Sequence, residues 1–342
     1  VIWHMEHMGH WPLVGPFLSL RDFYTPPTYY YVTWLLYHIT QSVNGIVIGY
    51  FFMNIISLIL LMKLAWHMGG KQLACIVGGL FAISINMIDH GRQFWQPFPM
   101  QLFIIISLLF LWRAYERKSL SSLWLFALNY MIALSVYPSP ILLLPYTGYQ
   151  IVRWYKNVGK LPIWQSLLFS GVMMTITSVI VYIPQIIFEI SRGWPSLTLT
   201  GLVTARFNLH TIITLISENI FYLFSFHLAT NIFFPKEGFY ITAFVIILFT
   251  AMAKWGKLPR AVRAFLAPEI LAAGLVFLLL YQQDVHNHRM WAYLPFIFLI
   301  TGTSIHQALN AKGIHKALAI TILLIYSILN LSGFSLYASR HF

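Results

Sequence analysis

Long apolar runs, separated by short polar or proline-rich breaks, dominate the pattern along the 342 residues. Several runs approach the ~20 residues with which an α-helix crosses a hydrocarbon core about 30 Å thick. The pattern predicts an all-α polytopic membrane protein with about ten spans, whose boundaries are soft. We expect the spans over residues 43–63, 72–88, 100–113, 120–136, 138–153, 163–187, 239–254, 265–281, 290–309 and 316–336.

Prolines separate some of these apolar runs. Pro138 and Pro140 separate the fourth and fifth predicted spans, because proline ends one helix and suits the start of the next. Pro26 and Pro27 precede a short apolar stretch, residues 29–40, which we interpret as an interfacial or re-entrant helix. We expect four segments along the chain. Residues 1–42 form a first outer loop with interfacial helices, and residues 43–187 form six spans. Residues 188–238 form a large outer loop with an interfacial piece at 211–226, and residues 239–342 form four spans.

The composition supports a membrane protein. Hydrophobic residues make up 59% of the chain and charged residues only 9%, whereas a soluble domain carries about 25% charged residues. The single cysteine, Cys75, excludes a disulfide framework and a multi-cysteine metal or iron–sulfur site. The net charge of +12 is interpreted as an orientation signal for the membrane, and nucleic acid is not an expected partner.

The basic residues predict the orientation. Seven of the 21 fall in one alternate set of loops, and the other 14 fall in the opposite set, which the positive-inside rule places in the cytoplasm. The cytoplasmic set is Lys63, Lys71, Arg113, Arg117, Lys118, Arg153, Lys156, Lys160, Lys254, Lys257, Arg260, Arg263, Lys312 and Lys316. Seven of the nine carboxylates lie on the outer side instead, so either acids avoid the inner face or the outer face holds a polar working surface.

Several function classes stay open at this point. A transporter or flippase normally carries ionisable residues at mid-membrane, and the predicted spans have none there. A non-catalytic membrane scaffold is a second alternative. Histidines at every third position, His4, His7 and His10, or the pair His286 and His288, could gather imidazoles for a metal, but chance explains such spacing equally well. We assign no metal ligand, and a divalent metal requirement stays open.

Four outer segments carry a resemblance to a known family. Residues 9–16 read Gly-His-Trp-Pro-Leu-Val-Gly-Pro, followed by Phe-Tyr at 23–24 and Pro-Thr-Tyr-Tyr-Tyr at 27–31. This segment resembles the first outer loop of bacterial polyprenyl-phosphate-sugar-dependent glycosyltransferases of the GT-C superfamily. The branch concerned is the one akin to protein O-mannosyltransferases and the lipid A aminoarabinose transferase.

The other three segments follow in the family's order. Residues 92–97, Arg-Gln-Phe-Trp-Gln-Pro, are similar to the element "R-x-x-W-N-P", with Gln96 where asparagine is usual. Residues 184–195 are similar to "P-x-x-x-F-E-x-R-H-G-F-P" without its histidine, and residues 288–295 resemble the late outer loop before a "Y-x-x-x-x-P" helix. The resemblance covers residues 1 to about 302 and implies a GT-C-type helix bundle.

The resemblance also implies an activity. Such enzymes transfer a sugar, with inversion, from a polyprenyl-phosphate donor to a lipid, glycan or protein acceptor on the outer face of the bacterial inner membrane. A carboxylate takes the acceptor's proton, and cations stabilise the leaving phosphate. The candidates for the phosphate are Arg92, Arg192, His288 and Arg289, those for supporting carboxylates are Asp22, Asp89 and Glu189, and those for stacking on sugar or lipid are Tyr24, Tyr29, Phe94 and Trp95.

One departure concerns the catalytic acid. In this family an acidic pair stands some fifteen to twenty residues before the Gly-His motif, whereas only eight residues precede Gly9 here and Glu6 is the one carboxylate among them. We therefore expect that the chain is an N-terminally truncated member, that the catalytic pair and the first span precede Val1, and that Glu6 is not the base.

Overall fold

The computed structural model describes residues 1–16, 24–84, 87, 96–194, 258–267, 292–311 and isolated positions between 313 and 328. Within these residues the secondary structure is helical apart from short connections. Three of the helices combine the length and the apolar composition needed to cross a membrane, and two shorter ones are also apolar. The described helices are α1 (Ile2–Met8), α2 (Thr28–Thr40), α3 (Val43–Ile83), α4 (Phe98–Glu116), α5 (Leu120–Val136), a 3₁₀ turn (Ser139–Leu143), α6 (Leu144–Asn157), α7 (Ile163–Ser191), α8 (Arg260–Leu266) and α9 (Leu294–Leu309).

The first two predicted spans form α3, which is interrupted between them. Gly69 and Gly70 have non-helical backbone angles, and Gly70 has φ +76°, a conformation that only glycine adopts without strain. The predicted gap at residues 64–71 therefore corresponds to a break at two glycines rather than to an open loop. The helix Leu120–Val136 has the predicted bounds, and α2 begins one residue before the predicted interfacial helix.

Two other predicted boundaries were wrong. The fifth span was predicted to begin as an α-helix at Pro138, but Ser139–Leu143 form a 3₁₀ turn and α6 begins at Leu144, because three prolines within eight residues remove backbone donors. The span predicted over 265–281 does not begin at Phe265. Phe265 belongs to α8, which ends at Ala267 in a left-handed conformation just before Pro268.

The chain forms two compact units. The first contains Val1–Met53, Gln93–Arg206 and Glu269–Leu278, and the second contains Asn54–Arg92, Phe207–Pro268 and Leu279–Phe342. In the first unit, α4 packs along α5, and Ser107 Oγ donates to the backbone oxygen of Phe126 across 2.9 Å. In the second unit, the Phe81 and Phe298 rings lie 5.3 Å apart.

Helix α7 shows how the first unit meets lipid. One side packs on α5 and α6, where Met173 and Thr177 are buried. The other side exposes a continuous apolar surface that includes Leu167, Leu168, Ile176, Val179, Ile180 and Ile183. Such a surface is unfavourable in water and fits the hydrocarbon core.

The predicted segments at 211–226 and 239–254 lie outside the described residues, and the division into four segments stays a prediction.

Candidate functional site

Residues from the first outer loop form a short paired segment, which we call the loop base: Gly15, Pro16, Tyr24 and Thr25. The amide of Gly15 donates to the Thr25 oxygen at 2.6 Å, and the amide of Thr25 donates to the Pro16 oxygen at 3.1 Å. A Cβ at Gly15 would collide with the Pro26 oxygen and lie 2.6 Å from Thr25 Oγ1. Only glycine therefore permits this close approach of the two backbones.

Gln96 connects the loop base to two helices. It lies just before α4 and is 7% exposed. Its Nε2 group donates to Thr25 Oγ1 at 2.9 Å and to the backbone oxygen of Val136 at 3.0 Å. Val136 is the last residue of α5, so its carbonyl is one of those that a helix end leaves without an intrahelical donor. The side chain thus satisfies a helix end while it holds the loop base.

The end of α7 carries a second set of contacts, which we call the outer-end cluster after the predicted orientation of this helix: Tyr24, Gln185, Phe188, Glu189 and Arg192. Gln185 Nε2 donates to the Tyr24 oxygen at 3.0 Å. The rings of Tyr24 and Phe188 meet edge to face with centroids 6.0 Å apart. The guanidinium carbon of Arg192 lies 4.9 Å from the Phe188 centroid, which is cation–π geometry.

The backbone reverses direction directly after this cluster. The amide of Trp194 donates to the Glu189 oxygen at 2.8 Å, and Gly193 and Trp194 have φ values of +72° and +61°. Glu189 is 6% exposed, whereas Arg192 is exposed at the helix end. The cluster therefore combines a buried carboxyl residue, two packed rings and an exposed cation at one end of α7.

Three of the resembling segments contribute to this arrangement. Tyr24 and Thr25 come from the first, Gln96 from the second, and Gln185, Glu189 and Arg192 from the third. Of the sequence candidates, Tyr24, Glu189 and Arg192 lie together in the outer-end cluster. The candidates Asp22, Asp89, Arg92, Phe94, Trp95, His288 and Arg289 lie outside the described residues.

Tyr29 occupies a different environment. It stands in the first turn of α2, half-buried, with its ring 5.8 Å from that of Tyr30. Burial raises the pKa of the Tyr29 phenol, and hydrogen bonds with Thr33 and Tyr50 partly offset this effect. The contacts among the described residues thus place Tyr29 with α2 and α3, and not in the outer-end cluster.

Glu6 lies in a set of contacts that we call the Glu6 clasp: Glu6, Trp34, His38 and Gln41. Its carboxylate accepts from Trp34 Nε1 at 2.8 Å and from Gln41 Nε2 at 2.9 Å, and it pairs with His38 Nδ1 at 3.1 Å. The hydrogen bond from Gln41, followed by the contacts with His38 and Trp34, holds the pKa of Glu6 below its ordinary value. The carboxylate is therefore engaged in joining α1 to α2.

The histidine hypothesis finds no support in the part of the chain that the structure describes. There, no group of three or more His, Cys, Asp or Glu could hold a metal ion. His4 and His7 instead lie beside the Trp3 ring, with centroids 5.4 and 5.0 Å away. The pair His286 and His288 lies outside the described residues.

The chain is similar in fold to two crystal structures of ArnT from Cupriavidus metallidurans. One, bound to undecaprenyl phosphate, aligns over 98% of this chain with a TM-score of 0.61 and 11% sequence identity; the other, in the apo state, aligns over 90% with 0.59 and 13%. The chain spans 65% and 54% of the lengths of those two chains. No family model and no curated protein match the sequence.

This likeness confirms the predicted fold. The protein is an integral membrane protein whose all-α bundle shares the fold of ArnT. The number of spans, predicted as about ten from the run lengths, stays a prediction. At these identities the likeness concerns the fold alone, so activity, donor and acceptor must be argued from the site.

Proposed function

We propose that the protein is a glycosyltransferase that moves a sugar from a polyprenyl-phosphate donor to an acceptor on the outer face of the bacterial inner membrane. The observation that carries the proposal is the fold shared with ArnT over 98% of the chain. One ArnT structure contains undecaprenyl phosphate, which is the chemistry expected for the carrier half of such a donor. The acceptor is a lipid, a glycan or a protein.

The outer-end cluster supports this activity by its chemistry. A polyprenyl-phosphate sugar presents an anionic phosphate between an apolar chain and a polar ring. Arg192 offers a planar set of donors suited to a phosphate, and its stacking on Phe188 limits the positions that it adopts. Tyr24, whose ring meets Phe188 edge to face, offers an aromatic face for an isoprene unit or a sugar.

The remaining candidates are assigned by their chemistry and their position in the sequence. Arg92, His288 and Arg289 stay sequence-based candidates for binding the donor phosphate, and Phe94 and Trp95 stay candidates for stacking on lipid or sugar. Asp22, Asp89 and Glu189 have supporting roles as carboxylates. Glu6 is not the base, since three donors occupy its carboxylate in the Glu6 clasp.

The proposal is tested by binding and by transfer. Undecaprenyl phosphate should bind the purified whole protein more tightly than phosphatidylglycerol does, as measured by native mass spectrometry. Membranes that contain the protein should then transfer radiolabelled sugar from a polyprenyl-phosphate sugar to an endogenous acceptor. If the protein instead moves lipid-linked sugar across vesicles without transfer, the transporter alternative replaces the proposal. Equal binding of the two lipids and no transfer would indicate a non-catalytic homologue.

A further inference from the structure

Gln96 occupies a junction that its sequence motif does not explain. Its amide bonds two parts of the first unit, the loop base through Thr25 and the end of α5 through Val136, and α4 begins two residues after it. Polar side chains this deeply buried are rare without a partner, and this one has two.

We propose that Gln96 is a positioning residue of the donor site, which fixes the loop base so that Tyr24 keeps its place against Phe188, the ring on which Arg192 also lies. This inference rests on the proposed function, because Tyr24 and Arg192 are the described residues that we assign to the donor. Gln96 acts through Thr25, the neighbour of Tyr24.

The hydrogen-bond directions support a relay. A threonine hydroxyl has one hydrogen, and Thr25 Oγ1 gives it to the Pro16 oxygen at 3.2 Å. The same oxygen is therefore free to accept from Gln96 Nε2 at 2.9 Å. Amide, hydroxyl and carbonyl then form one chain in which each bond polarises the next. These side-chain hydrogen bonds hold the loop base together in addition to its two backbone hydrogen bonds.

A second side-chain amide, that of Gln185, holds the loop base from α7. Gln185 Nε2 donates to the Tyr24 oxygen, so α7 holds Tyr24 while Gln96 holds Thr25. A third contact lies nearby, where the hydroxyl oxygens of Ser135 and Thr28 share a hydrogen bond of 2.8 Å. The side chains of Tyr24 and Phe188 thus meet between two anchored segments. Loss of one anchor should change the placement of Tyr24 without unfolding the bundle.

The decisive variant is Gln96→Leu, which keeps the bulk and removes the donors. Two buried acceptors, Thr25 Oγ1 and the Val136 oxygen, then lose their partner. We expect hydrogen exchange of peptides that contain Gly15 and Thr25 to rise about three- to tenfold. We expect the KM for the polyprenyl-phosphate sugar to rise by roughly the same factor while kcat changes little, because the donor site is displaced and the chemistry is not.

Gln101→Leu is the matched control. Gln101 lies in the first turn of α4 and is 2% exposed, and its Nε2 atom has no hydrogen-bond partner among the described residues. Its replacement removes the same atoms five positions further along the chain, and it leaves the loop base intact. Exchange at Gly15 and Thr25 and the donor KM should stay at the wild-type values.

Two further variants keep the test valid if Gln96→Leu folds poorly. Thr25→Val removes the hydroxyl at nearly constant volume and should give the same rise in exchange and in KM. The double variant should add little to either single change, since both interrupt one relay. Gln96→Asn, one methylene shorter, reaches one of the two acceptors and should lie between wild type and Gln96→Leu.

The outcomes separate this inference from the proposed function. Sugar transfer by the wild type with an unchanged KM in Gln96→Leu and Thr25→Val overturns the positioning role alone. Faster exchange without any change in KM overturns it as well, because Gln96 would then serve stability only. Absence of both undecaprenyl phosphate binding and transfer in the wild type contradicts the proposed function, and the positioning role falls with it.

Discussion

The indole Nε1 of Trp34 donates to a carboxylate oxygen of Glu6 across 2.8 Å and thereby joins α2 to α1. The Glu6 side chain is 13% exposed, and with His38 and Gln41 it forms the Glu6 clasp. Trp34 also stacks on His38 and meets Trp11 edge to face. The carboxylate at the start of the chain is therefore structural, with its oxygens directed at partners on α2.

Glu6→Gln should retain most sugar transfer and loosen α1. Glutamine presents one oxygen and an amide that cannot accept, so at least one of the donors Trp34 and Gln41 loses its partner. We expect hydrogen exchange in α1 to rise while kcat/KM stays within about threefold. A loss of about a hundredfold or more, the size expected for a missing general base, would contradict the structural role. Glu116→Gln, at an exposed helix end, is the matched control.

Acidic pH should open the same clasp. Hydrogen bonding lowers the pKa of Glu6 from its ordinary value of 4.5, so the contribution of Glu6 to stability is present above pH 4.5 and is lost as the pH falls through the lowered pKa. Trp34 fluorescence should therefore change below pH 4.5 in the wild type. The change should be absent in Glu6→Gln, and a transition that persists in that variant would assign it to other groups.

Gly15→Ala should displace the loop base. A Cβ there meets backbone, the oxygen of Pro26, which cannot move aside as the end of a flexible side chain can. We expect a loss of stability of about 1–3 kcal/mol in thermal unfolding, as for other overpacked sites, together with weaker binding of undecaprenyl phosphate. Gly171→Ala is the control, because open space surrounds Gly171 on α7. Equal melting temperatures for the two variants would contradict the close packing.

Arg192→Lys should weaken binding of undecaprenyl phosphate about three- to tenfold. Lysine keeps the charge but loses both the planar set of donors and much of the stacking on Phe188. Arg153→Lys is the matched control, because the Arg153 guanidinium lies 5.3 Å from the Tyr115 centroid in a similar contact on the predicted cytoplasmic side. Arg153→Lys should bind the lipid normally. If both variants bind undecaprenyl phosphate as the wild type does, Arg192 only caps α7.

Local signals in the sequence predicted the helices well where both ends carry a marker. Helix α5 begins after Ser119, whose hydroxyl accepts from the Ser122 amide at 3.2 Å, and it ends before Pro138. The start of the fifth span was ambiguous. Pro138, Pro140 and Pro145 all lie near it, so several starting points were compatible with the pattern. Only the folded structure shows that the chain adopts a 3₁₀ turn first.

The site was predictable only in part, since its contacts connect distant residues. The family resemblance indicated Tyr24, Glu189 and Arg192, and the structure places Tyr24 and Arg192 against Phe188, the neighbour of Glu189. It gave no sign that Gln96 reaches Thr25, 71 residues away, or that Gln185 reaches Tyr24, 161 residues away. Apolar periodicity records which side of a helix is buried, and it carries no information about the partner of one buried amide. The departure at Gln96 from the resembling element "R-x-x-W-N-P" was a signal that could have directed attention to this residue.

The last prediction concerns topology, and α7 provides the test. This helix has 29 residues, so it is about 43 Å long and exceeds the ~30 Å hydrocarbon core. Basic residues Lys156 and Lys160 precede it, and the outer-end cluster lies at its C-terminal end. The positive-inside rule therefore predicts that Lys160 lies in the cytoplasm and Ser191 outside.

Single cysteines report the side of the membrane directly. Cys75 is free and exposed, so Cys75→Ser provides the background. In intact cells a membrane-impermeant maleimide should label Ser191→Cys, whereas Lys160→Cys should react only after permeabilisation. Both positions are exposed at helix ends, so a difference in labelling reflects access across the membrane rather than burial. Labelling of both in intact cells would contradict the span, and the reverse pattern would place the outer-end cluster, with its proposed donor site, in the cytoplasm.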